Sequence, residues 1–176
     1  VRLTIYADGA CSNNGAPVET RRGGVGAVIL TDTDIHSLRV SHAQIEEKCK
    51  QLGYEVTNST AELCALGFAL NYIAKNIPGD HELDIYTDSN YVVGQVRREN
   101  RFKTNANVEM VAKLRNTVDK LNFKITHIDG HQRPQDIVDP VMRKHIEYQV
   151  RVDALAVEGK TQESQSWVAP LSGDSF

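Results

Sequence analysis

Four acidic residues carry the chemistry this sequence could do: Asp8, Glu62, Asp88 and Asp153. Asp8 follows the alternating stretch Arg2-Leu3-Thr4-Ile5-Tyr6-Ala7, and Asp88 follows Leu83 to Thr87, so each is expected at the C-terminal end of a strand, against a turn or helix. If those strands are parallel neighbours, the two carboxylates stand side by side at one edge of a sheet, where sheets with helical crossovers place their ligands. Glu62 is expected in the first turn of a helix, where the helix dipole favours negative charge. Asp153 is expected on a last helix, off the apolar face formed by Ile146, Val150 and Leu155. Carboxylates gathered this way repel one another unless a cation neutralises them, and oxygen-only ligands suit hard ions such as Mg²⁺ or Mn²⁺. Such a cluster can hold two ions roughly 3.5–4 Å apart, the arrangement of in-line phosphoryl chemistry, one activating a water and the other stabilising the leaving oxygen. The chain has 23 Asp and Glu, and any one of these acids taken singly reads as a surface charge, a turn former or a dipole residue. Their joint placement is what points to a site.

The elements that must position these acids follow from pattern. After the first strand, Cys11 to Pro17 is turn-forming, Gly23-Gly24 precedes a strand over Val25 to Leu30, and Thr31 to Asp34 forms a hairpin turn into a third strand near Ser37 to Ser41. Residues 42–56 are polar and read as a short helix or an inserted loop. Asn58-Ser59-Thr60 supplies capping side chains for a helix with Leu63, Leu66, Leu70 and Ile73 at helical spacing, ended by Pro78-Gly79. A strand over Leu83 to Thr87 leads to a short helix from about Ser89. A further helix after Asn105-Ala106-Asn107 turns Val108, Val111, Leu114, Val118 and Leu121 to one face. Phe123 to Ile128 is a strand, Asp129-Gly130-His131 turns out of it, 132–142 reads as a loop, and Lys144 to Val157 as the final helix. Three early strands with short turns predict an antiparallel meander, and the later strands, alternating with helices, predict parallel additions through right-handed crossovers. The result is an α/β domain over residues 1–158, a mixed sheet flanked by helices, with 159–176 a polar, poorly ordered tail.

At 176 residues the chain is read as one domain, and its 40% hydrophobic and 24% charged content is ordinary for a globular protein. No apolar run approaches the ~20 residues needed to span a bilayer, and Val1 to Ala7 lacks the basic start and apolar block of a signal peptide. A cytoplasmic setting is therefore expected. Cys11, Cys49 and Cys64 form no CxxC pair, which argues against a disulfide framework or a zinc site. The net charge of −3 gives no support to nucleic-acid binding in bulk, so a phosphate-binding surface must be local. Its candidates are Arg97, Arg98, Arg101 and Lys103, with Arg21-Arg22 as a smaller cluster.

Five motifs, in order along residues 3 to about 157, resemble type 1 ribonuclease H. They are Ile5-Tyr6-Ala7-Asp8-Gly9-Ala10-Cys11 with Asn14-Gly15 and Gly23 to Ala27; Thr57-Asn58-Ser59-Thr60-Ala61-Glu62-Leu63; Ile85-Tyr86-Thr87-Asp88-Ser89; Gly130-His131; and Val152-Asp153-Ala154-Leu155-Ala156. The resemblance implies a ribonuclease H-like fold with a five-stranded mixed sheet, and an endonuclease that hydrolyses the RNA strand of RNA–DNA hybrids, leaving 5′-phosphate and 3′-hydroxyl ends. It implies two Mg²⁺ ions, with Mn²⁺ a substitute, held by Asp8, Glu62, Asp88 and Asp153, and His131 assisting proton transfer or product departure from a mobile loop. Gly9, Cys11, Asn14, Asn58 and Ser59 would meet the minor groove and the 2′-hydroxyls that distinguish RNA, with Asn90 at a neighbouring substrate position. Thr57 and Asn107 would hold a phosphate of the DNA strand, which positions the hybrid without reading sequence. Ser59 and Asn90 depart from the residues usual in the family, the basic segment before Asn107 is short, and 42–56 and 132–150 are enlarged. Within the second enlargement, Asp136, Asp139, Arg143 and Lys144 are read as solvating charges. A monomer is expected. The alternatives are a domain of a reverse transcriptase-type chain and a noncatalytic hybrid-binding module. A proofreading-type exonuclease is disfavoured because Gly9-Ala10, not x-Glu, follows Asp8.

Overall fold

The alternation in the first strand is what builds the domain, because it gives each face of the sheet its own core. In the computed structural model, which describes residues 1–99, 106–161 and 176, β1 spans Arg2–Ser12. Leu3, Ile5 and Ala7 point into one apolar cluster and Tyr6 into another on the opposite face. β2 (Arg22–Leu30) repeats the pattern, with Val25, Ala27 and Ile29 on the first face and Val28 on the second. β3 (Ile35–Val40) pairs antiparallel with β2 through a turn closed by the Thr31 N–H donating to the Asp34 carbonyl at 3.0 Å. β4 (Glu82–Thr87) and β5 (Asn122–His127) add in parallel, giving the order β3-β2-β1-β4-β5. The expected five-stranded mixed sheet is the observed one.

The larger core lies under α1 (His42–Leu52), α2 (Asn58–Asn76), α3 (Asn90–Val96) and α4 (Val108–Val118). The smaller lies under α5 (Pro140–Thr161), where the Tyr6 ring stacks between Tyr86 and Tyr148 at centroid distances of 5.3 and 4.9 Å. α5 reaches the sheet through glycine. A Cβ on Gly26 would stand 2.3 Å from the Val152 carbonyl oxygen, so only a bare Cα lets the helix backbone lie on β2.

Several expectations are corrected. Of the two readings offered for 42–56, a helix over His42–Leu52 is the observed one, ended by Gly53 in a left-handed conformation (φ 77°) that only glycine adopts without strain. α2 is capped by Thr57, one residue earlier than Asn58-Ser59-Thr60: the Thr57 hydroxyl accepts from the Thr60 N–H at 3.1 Å and the Thr60 hydroxyl from the Thr57 N–H at 2.8 Å. The α4 face uses Met110, Val111, Leu114 and Val118, whereas Val108 is exposed and Leu121 lies beyond the helix. α5 begins at Pro140, inside the expected loop, and runs to Thr161, past the expected boundary at 158. Its buried face is Ile146, Gln149, Val152, Ala156 and Gly159, while Val150 is exposed. Residues 162–175 of the expected tail, with Arg101 and Lys103, lie outside the described residues, but Phe176 is buried edge-on against Phe68.

Candidate active site

Sheet register brings the first two acids together. The last β1–β4 pair is Tyr6 with Tyr86, and two residues further along each strand stand Asp8 and Asp88. Asp88 does follow the end of its strand, but Asp8 does not: β1 continues to Ser12 because its other neighbour, β2, still pairs with it as far as Arg22. Asp8 is thus mid-strand on one side and at the open end of the parallel ladder on the other. The cross-strand neighbour of Asp8 on β2 is Gly26, the glycine on which α5 rests, and that seating brings Asp153 over Asp8. Asp8 lies within hydrogen-bonding reach of both the Asp88 and the Asp153 carboxyls.

Glu62 arrives by a second close approach. A Cβ on Gly9 would fall 2.3 Å from the Ala61 carbonyl oxygen, so α2 can press on β1 only at a glycine. Because the helix starts at Asn58, Glu62 sits in its second turn rather than its first, beyond the orphan N–H groups. A hydroxyl fixes it instead of the dipole. Ser89, the N-cap of α3, donates its Oγ–H to Glu62 Oε2 at 2.6 Å while accepting from the Val92 N–H at 3.1 Å. From sequence Ser89 marks only a helix start; its side chain ties Glu62 to the Asp88 turn.

The electrostatics are those of acids crowded out of water. Asp8 is 6% exposed. Its carboxyl is pushed up to about 9, first by burial and then by the charges of Asp88 and Asp153. Burial raises Asp88 as well; the hydrogen bond from Asp8 and the imidazoles of His131 and His127 pull it back, while Asp153 pushes it further up. Glu62 is raised by burial, with the Ser89 hydroxyl opposing. Among the described residues no three His, Cys, Asp or Glu side chains form a ready metal-ligand group; Asp8 instead sits against the carboxyls of Asp88 and Asp153, whose charges add to burial in raising its proton affinity. Crowded, oxygen-only carboxyls of which Asp8, Asp88 and Glu62 are raised by burial are what a hard divalent cation would replace protons on. The donor set fits such an ion.

The other expected site residues fall into two groups. Asn58 joins β1 to the start of α2: its Oδ1 accepts from the Cys11 N–H at 3.0 Å, and its own N–H donates to Asn14 Oδ1 at 3.1 Å. With Gly9, Thr57 and Ser59 these residues form one platform beside Glu62. Its Thr57 hydroxyl is already engaged in the cap. Asn90 is exposed at the start of α3. Asn107 caps α4 in a left-handed conformation (φ 60°) and donates to the Tyr91 hydroxyl at 3.2 Å. On the opposite side, His131 is exposed in a turn with φ 59°, a strained backbone for a non-glycine residue. His127, which in sequence is only a strand residue, bonds the Asp88 carbonyl through Nε2 at 3.1 Å. Of the basic cluster, Arg97 is turned inward onto the Ile125 carbonyl and Arg98 is paired with Asp119 at 2.7 Å. Neither guanidinium is held free for phosphate.

Comparison with known proteins gives one answer. The family model described as RNase H matches residues 1–159. A ribonuclease H of Trichodesmium erythraeum is 31% identical over 144 residues, covering 73% of this chain and 77% of that protein. One from Chlorobium phaeovibrioides is 26% identical over 142 residues, covering 74% and 84%. Among solved structures, LC9-RNase H1, a type 1 RNase H with the type 2 active-site motif, superposes with a TM-score of 0.67 at 19% identity, covering 94% of this chain and 74% of that one. LC11-RNase H1 in complex with RNA/DNA hybrid superposes at 0.60 and 22% identity, covering 90% and 96%.

Proposed function

This chain belongs to the RNase H family, and from that premise we propose that it hydrolyses the RNA strand of RNA–DNA hybrids with divalent metal ions, leaving 5′-phosphate and 3′-hydroxyl ends. The observation that carries the proposal is the buried cluster in which Asp8 meets Asp88 and Asp153, with Glu62 drawn to the same place through Ser89. Asp8, Glu62, Asp88 and Asp153 would hold two Mg²⁺ ions, or Mn²⁺ in their place. Bound there, the ions supply an activated water and neutralise charge on the phosphate and leaving oxygen.

The chain's own residues do the rest. Gly9, Cys11, Asn14, Asn58 and Ser59 face the minor groove, where 2′-hydroxyls mark the RNA strand. Thr57, Asn90 and Asn107, around the start of α2, α3 and α4, set the register of the duplex through the sugar and phosphate backbone. His131, in the turn that walls the same cleft as Asp88, assists proton transfer or product departure at the edge of the cluster. We read the protein as a cytoplasmic monomer, and the same activity would serve within a longer reverse transcriptase-type chain.

The test is a substrate panel: end-labelled hybrid, double-stranded RNA, double-stranded DNA and single strands, with Mg²⁺, Mn²⁺ or chelator. Cleavage confined to RNA within the hybrid, with 3′-hydroxyl ends, is expected. A folded protein that binds hybrid without cutting it under either metal would replace this reading with the noncatalytic module.

A further inference from the structure

The cleft between α5 and the turn after β5 contains a polar side chain that the nuclease reading leaves unused. Gln149 is 4% exposed, and neither its Nε2 nor its Oε1 has a hydrogen-bond partner among the described residues. It lies on α5 one helical turn before Asp153, in a cleft walled also by Asp88, His131, Gln132 and Ile146. A buried carboxamide with two donor hydrogens and an acceptor, all unpaired, is a costly arrangement unless something small and polar completes it. The cleft offers ≈ 30 Å³, against the roughly 10–15 Å³ that one water requires by the same measure, and its lining includes Asp88, Asp129 and Asp153 as acceptors beside the Gln149 amide. Its outer wall is the strained turn at His131, already pinned at one end by Gln132 donating to the Asp129 carbonyl at 2.8 Å. The α carbon of Gly130 in the same turn backs onto the Asp88 carboxylate.

We propose that Gln149 is a positioning residue: its carboxamide holds an ordered water in this cleft that ties the His131 turn to α5 beside Asp153. The imidazole then stands at a set distance from the acids on both elements. The amide is chosen over a carboxylate because a further negative charge there would compete with Asp88 and Asp153 for the same cations. An aliphatic residue would leave the turn without its anchor. This inference rests on the nuclease reading for its kinetic part and is independent of it for its structural part.

The experiment uses the full chain as Gln149→Met, with Gln149→Leu as a second variant in case the first fails to fold. Each is combined with His131→Ala in a double-mutant cycle, and the His131 ring resonances are recorded in the metal-free protein. With His131 present, Gln149→Met is expected to lower kcat for hybrid cleavage by about tenfold with KM little changed, and in the His131→Ala background by less than about twofold. The His131 ring resonances are expected to shift in Gln149→Met. An equal loss of kcat in both backgrounds with the resonances unmoved would overturn the proposal, because Gln149 would then be acting on packing alone. No loss in either background with the resonances unmoved would also overturn it. A wild-type protein that cuts no hybrid would sink the nuclease reading, and the His131 resonances would still decide the placement of Gln149.

Discussion

Replacing Asp8 with asparagine is expected to stabilise the metal-free protein while it abolishes cleavage. At pH 7 the Asp8 carboxyl of the unfolded chain, with an ordinary pKa of about 3.9, has shed its proton. The folded one, pushed up to about 9 by burial and by Asp88 and Asp153, still holds it. Because pH 7 stands about three units above the ordinary value, holding that proton costs up to about 4 kcal/mol at ~1.36 kcal/mol per unit. Relaxation around the site reduces this to about 2–4 kcal/mol. Asparagine escapes the cost, and its amide N–H groups can donate to the neighbouring carboxylates. For a chain of this size the gain corresponds to roughly 5–15 °C in Tm. The sign follows from proton binding: between about pH 4 and 9 the folded state holds a proton the unfolded state has lost, so wild-type stability falls as pH rises. Thermal unfolding in chelator at pH 5, 7 and 8.5 measures this, and the advantage of Asp8→Asn should shrink to about 1.5 kcal/mol at pH 5. Adding Mg²⁺ should then raise the Tm of wild type and leave the variant nearly unmoved. A variant no more stable than wild type in chelator, or an advantage independent of pH, would refute the reasoning.

Gly26→Ala places a methyl 2.3 Å from the Val152 carbonyl oxygen, so α5 and Asp153 must shift; a loss of about 2 kcal/mol or more in chemical denaturation, with cleavage lost beyond that instability, is expected. Ser89→Ala removes both the α3 cap and the hydrogen bond to Glu62, costing about 1 kcal/mol and raising the Mg²⁺ concentration needed for half-maximal cleavage. Phe176→Ala empties a buried ring site against Phe68 and is expected to cost about 3–5 kcal/mol, read as a lower Tm, with unchanged cleavage at 25 °C.

Much of this was legible because period and position coincide. Leu3, Ile5 and Ala7 alternate with Tyr6, and the strand direction that follows carries Asp8 to Asp88 without knowledge of the fold. Most missed features depend on partners far away in sequence. The continuation of β1 beyond Asp8 is decided by β2, which nothing local to Asp8 reveals. The α2 cap is the local exception: Thr57 outcompetes Asn58 and Ser59 because Thr60, three residues on, can answer it, so Glu62 falls in the second turn and its orientation is left to Ser89. The structural use of Gly9 and Gly26 lies in helix contacts that no spacing rule encodes. Gln149 did carry a signal: a polar residue three positions after Ile146 and three before Val152, on the stripe that must face the sheet. Reading Val150 and Leu155 as that stripe hid it.

The central claim is that Asp8, Glu62, Asp88 and Asp153 act as one metal-holding unit in the cleavage of RNA within a hybrid. Its most direct test is the rate of hybrid cleavage in Mg²⁺ by wild type and by Asp8→Asn, Glu62→Gln, Asp88→Asn and Asp153→Asn, each first shown to be folded. Every variant is expected to lose cleavage by at least about a hundredfold, non-additively in combination, and wild type to lose it in chelator. Near-wild-type cleavage by folded Asp8→Asn or Asp88→Asn, or wild-type cleavage that persists in chelator, would contradict it.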